Sequence, residues 1–548
     1  MGFDLDGLLD ARSGEGYDLH RRLLNPQIPR VLRTIGFDTN YTRAEGSYLY
    51  DGAGRRYLDF LSGFGVFGIG RNHPTVRRAL HAALDRELAD MIQMDTPVLS
   101  GLLAERLLAK VPGFERVYFG NSGTEAVEAA LKFARCATGR PRIIYCDHAF
   151  HGLTTGSLSV NGGTEFRRGF APLLPDTKVA FGDLDALERE LGRGGVAAFI
   201  VEPVQGKGVQ VSPPGYLREA RRMLHEHGAL LICDEVQTGL GRTGRFLAYE
   251  RDDVAPDIVT IAKSLSGGFV PVSATLSQDW IHQKVYWSMD RALVHDSTFN
   301  GNVLAMVAGL ATLSVIDDDG LVAHAEQVGA ALQAGLRSLA ETYELVADIR
   351  GRGLMIGIEF GPPRSARFRG GWGVLHGART GLFSQAVVGA LYHRHGILTQ
   401  VSADHAEVVK LLPPLIIGDD EVQQFLTAFA DVMDDAHRTR GLVFDFGRTV
   451  VAQKLSRRGE WQYVPRTVFP TGRCDGFAPQ EWISVTSARC GRPWRPGAGR
   501  GERGTRWRGA AGSCSAGRRS HPSCADRSGL RPVPWSPATP GRGPSASR

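Results

Sequence analysis

Lys263 follows the apolar, β-branched run 258–262 and precedes Gly267-Gly268. Such a run reads as a buried strand, and the glycines as a turn. A lysine leaving a dry strand can lose its charge, because desolvation disfavours an ammonium. A neutral amine in that setting can form an imine with a carbonyl. In isolation, a solvated lysine after a strand is the commoner case. Four other stretches place polar residues after apolar runs in the same way. Asp234 ends the run 230–233, and a charge there needs a partner: an arginine from elsewhere, or a protonated heterocycle. Ser122-Gly123-Thr124 follows 116–119 and opens a helical pattern; free N–H groups there suit a phosphate, or form an ordinary helix cap. Phe150-His151 follows 142–146, where the ring of Phe150 covers a flat ligand or joins the core. Glu202 follows 196–201, with Lys207 close behind.

The runs that position these residues alternate with helical patterns at 124–136 and 216–227. Alternation of this kind predicts an α/β protein with a doubly wound, mainly parallel sheet. Ligands bind beyond the carboxyl ends of such strands, where the polar residues fall. Upstream, residues 1–30 read as helical and 46–59 as a β-hairpin turning at Asp51-Gly52. Asn72-His73-Pro74 predicts an Asn-capped helix over 75–88. Downstream, 321–345 is helix-rich, 350–360 alternates as one half-exposed strand, 361–381 is a Gly/Arg-rich loop, and a helix over 419–437 closes the unit.

An imine-forming lysine, a phosphate loop, a ring-covering aromatic and a buried acid for a ring nitrogen together describe a site for pyridoxal 5′-phosphate. Several longer stretches carry a family resemblance: GNSGTEAVEAALK (120–132), FHG (150–152), EPVQG (202–206), DEVQTGLGRTG (234–244), AKS (262–264) and STFNGNVLA (297–305). The chain resembles a class III (ω-type) aminotransferase of the fold-type I pyridoxal-phosphate superfamily from about residue 48 to 435. LSGFGVFG (61–68), which includes Val66, is similar to the putrescine/diamine and ornithine branch.

The resemblance implies a large domain with a mixed, mainly parallel sheet and a smaller α+β C-terminal domain. The expected divisions are 1–75, 76–315 and 316–450, with an extension over 451–548 that is disordered from about 471. By the resemblance, Lys263 is the Schiff-base lysine, Asp234 pairs with the ring nitrogen, and Gln237 meets the ring oxygen. Phe150 stacks on the ring with His151 beside it, Ser122, Gly123 and Thr124 hold the phosphate, and Glu202 lines the pocket. Thr298 serves the neighbouring subunit of a homodimer. The reaction implied moves an amino group between an amine or amino acid and a keto acid or aldehyde, by a ping-pong route. A racemase, epimerase or aminomutase on the same scaffold is the alternative. Val66, Lys207 and Lys410 are the expected substrate residues. Many relatives carry Glu and Arg at the last two positions. Two lysines cannot form that ion pair, and as facing cations they would repel or enclose an anion.

Composition agrees with a soluble globular protein: 43% hydrophobic, 22% charged, and no apolar run long enough for a membrane span. The start is acidic without an apolar h-region, so a cytoplasmic location is expected. The net charge of +6 belongs to the tail: residues 471–548 carry fourteen Arg, no Lys and four acids, leaving 1–470 near −4. That tail has no periodicity, and its stretch 499–509 has the Arg and Trp of an RNA binder. Arg without Lys and scattered Cys fit better a GC-rich frame under little selection for folding, so no nucleic-acid partner is expected. None of the seven cysteines has CxxC spacing, and no metal is expected.

Overall fold

The computed structural model describes residues 2–437, except 93–94, 367–368, 370–371, 374–375, 377–379 and 403–404. The extension expected over 451–548 lies outside the described residues, as do the end of the 316–450 unit and much of the 361–381 loop.

Seven strands build the main sheet: β1 (Arg116–Gly120), β2 (Arg142–Cys146), β3 (Asp176–Val179), β4 (Val196–Val201), β5 (Leu230–Asp234), β6 (Ile258–Ile261) and β7 (Ser273–Ser277). Their spatial order is β1-β7-β6-β5-β4-β2-β3. Only β7 runs against the rest. Every residue of β4, β5 and β6 is buried, as their largely apolar runs require when both faces are covered. Each fully buried Ile, Leu or Val contributes about 1.5–3 kcal/mol. Helix α1 (Gly123–Thr138) lies on one face through Ala126, Val127, Ala130, Leu131, Phe133 and Ala134. Strands β3 and β7 have no counterpart in the sequence reading. Asp176-Thr177-Lys178-Val179 holds one apolar residue, and Ser273-Ala274-Thr275-Leu276-Ser277 alternates weakly. Their places are set by the neighbouring strands.

A second sheet has four strands: β8 (Val346–Arg352), β9 (Met355–Phe360), β10 (Gln400–Ser402) and β11 (His405–Leu411), in the order β8-β9-β11-β10. The single strand expected over 350–360 is thus a hairpin. The chain reverses between Arg352 and Met355, where Gly353 takes φ +52°. Helices Leu321–Thr342 and Asp419–Ala436 pack beside it. A third sheet joins Tyr41–Glu45, Tyr48–Asp51 and Arg56–Asp59 to Ile397–Leu398, so the N-terminal hairpin is completed by a strand from far along the chain. The helix after it spans Pro74–Asp85 and is capped by His73, whose Nδ1 accepts from the Thr75 N–H at 3.4 Å. The expected cap, Asn72, instead turns at φ +54° and donates to the Ala44 carbonyl. No described helix is long and apolar enough to cross a membrane.

Candidate active site

Strand register brings the polar residues together. Cys233 lies opposite Val201, so Asp234 and Glu202 emerge from adjacent strands at one level. Asp234 also lies opposite Thr260, three residues before Lys263. The Asp234 carboxylate is buried and hydrogen-bonded at both oxygens. Its Oδ2 meets His151 Nδ1 at 2.7 Å, and its Oδ1 accepts from Thr260 Oγ1 and the Val236 N–H, both at 3.0 Å. These contacts offset a desolvation cost of several kcal/mol. His151 is held in turn by its backbone N–H to Asn161 Oδ1 at 2.7 Å. Glu202 accepts from the Phe150 N–H at 2.9 Å and the Gly206 N–H at 2.7 Å. Burial pushes its carboxyl above the ordinary range.

Lys263 opens a short 3₁₀ turn just past β6, with φ +39°. A left-handed lysine is strained by about 1–3 kcal/mol, and such strain collects at functional sites. Burial pulls its ammonium below the ordinary lysine value, against the opposing pull of Asp234 and Glu202.

The N-terminus of α1 arrives from the side. Ser122 caps it, accepting from the Glu125 N–H at 3.4 Å. A Cβ on Gly123 would stand 2.8 Å from Val236 Cγ1, so glycine allows the helix end to close on the strand ends. Thr124 Oγ1 sits among hydroxyls, 2.7 Å from Thr154 and 2.6 Å from Ser157. Phe150 packs edge-on against Phe166 at 5.4 Å between ring centres. The tight turn before Val66 meets the site through Gln237. There Ser62 and Phe64 take φ of +42° and +62°, and the Phe64 carbonyl accepts from Gln237 Nε2 at 3.0 Å. Thr298 stands exposed, although its neighbour Ser297 accepts from Asn121 Nδ2 at 2.9 Å, near the start of α1.

The two substrate lysines have different partners. Buried Lys207 pairs with Glu165 at 2.5 Å and lies over the Phe166 ring at 4.8 Å. Lys410, also buried, donates to the Gly206 carbonyl at 2.7 Å and to Gln237 Oε1 at 3.3 Å. Burial first, and the charge of Lys263 second, bring Lys410 down to about 7, against the opposing charge of Glu202. Glu165, Phe166 and Asn161 were not singled out in the sequence reading. They come from 161–166, a stretch of four-residue helix and loop without periodicity. The Gly162-Gly163 pair beside them was the only local mark.

Residues 33–433 match the class-III aminotransferase family. The chain belongs to that family. It is 36% identical over 460 residues to aminotransferase PigE of Serratia sp., covering 78% of this chain and 54% of that protein, so the match spans about half of PigE. It is 38% identical over 402 residues to the acetylornithine aminotransferase of Methanopyrus kandleri, covering 72% of this chain and 95% of that one. Among solved structures, an ornithine aminotransferase from Toxoplasma gondii matches with a TM-score of 0.68 at 29% identity, over 80% of this chain and 100% of that one. The protein is a class III aminotransferase of fold type I, and its cofactor is pyridoxal 5′-phosphate. The residues present fit that cofactor. They include a lysine amine just past the strand beside Asp234, a buried carboxylate for a protonated ring nitrogen, and a helix N-terminus whose Gly123 leaves no room for a Cβ.

Proposed function

We propose that the enzyme moves a terminal amino group from an amine or amino acid to a keto acid or aldehyde through Lys263. The carrying observation is the Lys263 amine, lowered by burial, just past the strand paired with the one that ends in Asp234, with Glu202 one strand further on. Pyridoxal phosphate, when bound, supplies an aldehyde for the amine and a ring that accepts the electrons released at the donor carbon. Lys263 Nζ would take the proton from that carbon and return it on the other side of the exchange. Asp234 would keep a proton on the ring nitrogen, while His151, fixed by Asn161, holds Asp234 in place. Gln237 would donate to the ring oxygen. Ser122, Gly123 and Thr124 would receive the phosphate, Phe150 would cover the ring, and Glu202 would shape the pocket beside it.

Thr298, exposed on its turn, completes the site of a second copy, so the working unit is a homodimer, placed in the cytoplasm. Segments 1–75, 76–315 and 316–450 are proposed as N-terminal segment, cofactor domain and small domain. Pairing of Ile397–Leu398 with Leu58–Asp59 supports joining the first segment to the third. Val66, Lys207 and Lys410 border the substrate. With Lys207 held by Glu165, no ion-pair switch between positions 207 and 410 is built, and no trapped anion is needed. A bare diamine is therefore admitted as well as an amino acid.

Loss of the visible cofactor band on mixing with single donors tests this reading. Putrescine and ornithine should each discharge the band without a keto acid, and a keto acid should restore it. Interconversion of one amino acid without an acceptor, with no discharge by either amine, would favour the isomerase alternative.

A further inference from the structure

We propose that Glu128 is a positioning residue for the cofactor: by way of Thr154 and Ser157 it turns the Thr124 hydroxyl away from the phosphate and ties α1 to the segment that carries Phe150 and His151. This role rests on the reading above, in which the phosphate lies at the start of α1. The protons of three hydroxyls set the direction. Thr154 Oγ1 lies 2.5 Å from Glu128 Oε1, and a carboxylate only accepts, so the Thr154 proton is used there. Thr124 Oγ1 lies 2.7 Å from Thr154 Oγ1, and the proton between them must then come from Thr124. Ser157 Oγ lies 2.6 Å from Thr124 Oγ1 and supplies the proton of that contact. The Thr154 carbonyl, 3.1 Å from Ser157 Oγ, is the longer contact and yields to it. Donation therefore runs from Ser157 to Thr124 to Thr154 to Glu128. Any other order leaves one of the short oxygen–oxygen contacts without a proton. A phosphate oxygen also accepts, so the Thr124 hydroxyl has nothing to offer it.

The same contacts fasten two parts of the site together. Glu128 Oε1 also accepts from the Ser157 N–H at 3.0 Å, and Thr124 Oγ1 from the Thr154 N–H at 3.3 Å. Side chains near the start of α1 thus grip both ends of 154–157, just after Phe150 and His151. Glycine permits the approach. A Cβ on Gly156 would stand 2.1 Å from Glu128 Oε2, and one on Gly152 would stand 2.4 Å from Thr124 Oγ1. The phosphate is left with other donors. The N–H groups of Gly123 and Thr124 precede the first backbone bond of α1, from the Ala126 N–H to the Ser122 carbonyl at 3.1 Å. Ser122 Oγ accepts from the Glu125 N–H, which leaves its own proton for the ligand. Thr124 serves the phosphate through its backbone and the ring cover through its side chain.

The full chain, freed of cofactor, is titrated with pyridoxal 5′-phosphate and with pyridoxal; the preference for the first reads the phosphate contacts. The wild type should bind pyridoxal 5′-phosphate at least about tenfold more tightly. Ser122→Ala should cut that preference about tenfold, whereas Thr124→Val should leave it within about threefold. Glu128→Ala and Thr124→Val should each weaken both ligands by a similar factor, about tenfold. The double variant should be no weaker than the poorer single, because both changes break one chain. Glu128→Gln keeps an oxygen for Thr154 and Ser157 and should stay within about threefold of the wild type. Should Glu128→Ala fail to fold, Thr124→Val tests the same chain from its other end. Loss of preference in Thr124→Val equal to that in Ser122→Ala overturns the proposal and places the Thr124 hydroxyl on the phosphate. Additive losses in the double variant, or a Glu128→Gln protein as weak as Glu128→Ala, also overturn it. If the wild type shows no preference, the reading of α1 as the phosphate site fails, and this role with it. If the preference is present and falls in Ser122→Ala while the Glu128 pattern fails, only the role of Glu128 is lost.

Discussion

The floor of the site and its wall are built differently. The floor consists of Asp234, Glu202 and Lys263, delivered within a few residues of three neighbouring strands. Register fixes their spacing, and hydrogen bonds to His151, Thr260 and backbone N–H groups fix their orientation. The wall consists of Lys207, Glu165, Phe166, Lys410 and the turn 62–66, delivered from four separated parts of the chain. A strand end cannot move without unpairing the sheet, whereas Lys207, Glu165, Phe166 and the turn 62–66 lie on turns and a short helix and can exchange partners by a change in one loop; Lys410 alone of the wall sits in a strand. The chemistry therefore stays with the floor, and selectivity is set by the wall.

Breaking the floor should have the largest effect. Lys263→Ala should lower turnover by about 10³-fold or more, since it removes both the amine and the proton carrier. The cofactor-free fold should persist, because the change deletes an amine that burial disfavours in its charged form. Steady-state rates and a thermal melt check both halves. Next, Asp234→Asn keeps a hydrogen-bonding side chain for Thr260 and Val236 but removes the charge facing the ring nitrogen. Turnover should fall about 10²- to 10³-fold, with stability changed by no more than about 2 kcal/mol. Rates near wild type would mean that another acid serves the ring.

The wall should respond through stability and pH. Lys410 is at about 7 in the folded chain, below the unfolded lysine value of about 10.4. Between those values the unfolded chain holds a proton that the folded chain lacks, so stability falls as pH drops from about 10 to about 7 and levels off below. Lys410→Met should remove this dependence. Denaturant unfolding of the cofactor-free protein should show the variant gaining on the wild type across that window, by a few kcal/mol at most. The smallest effect is expected from Glu165→Ala, which takes from Lys207 its 2.5 Å carboxylate partner. It should cost about 1–3 kcal/mol of stability yet slow the putrescine half-reaction by less than about threefold. A hundredfold loss would move Lys207 from the wall into the chemistry.

The difference between the two regions also explains what could be read in advance. Asp234 and Lys263 were visible because each breaks an apolar run, and the break marks the strand end where ligands bind. The hairpin at 48–59 and the helix over Gly123–Thr138 showed for similar reasons of local pattern. Partners across the fold leave no such trace. Nothing near Lys207 announces Glu165, and nothing near Lys410 announces Gln237, because both pairings depend on how distant segments meet. The expectation of repulsion between Lys207 and Lys410 weighed the two positions alone, without the Glu165 carboxylate that the fold brings to Lys207. Strands β3 and β7 escaped because edge or antiparallel position, and not composition, makes them strands. The break of 350–360 into a hairpin was missed because Gly351 and Gly353 lie within an otherwise regular alternation.

The central claim is that Lys263 carries the cofactor at the floor of this site. Borohydride reduction of the holoenzyme, followed by proteolysis and mapping of the pyridoxyl label, tests it directly. The account predicts one labelled lysine, Lys263, in the peptide that follows β6. A label on Lys410, Lys207 or any other lysine, with Lys263 unmodified, would contradict it.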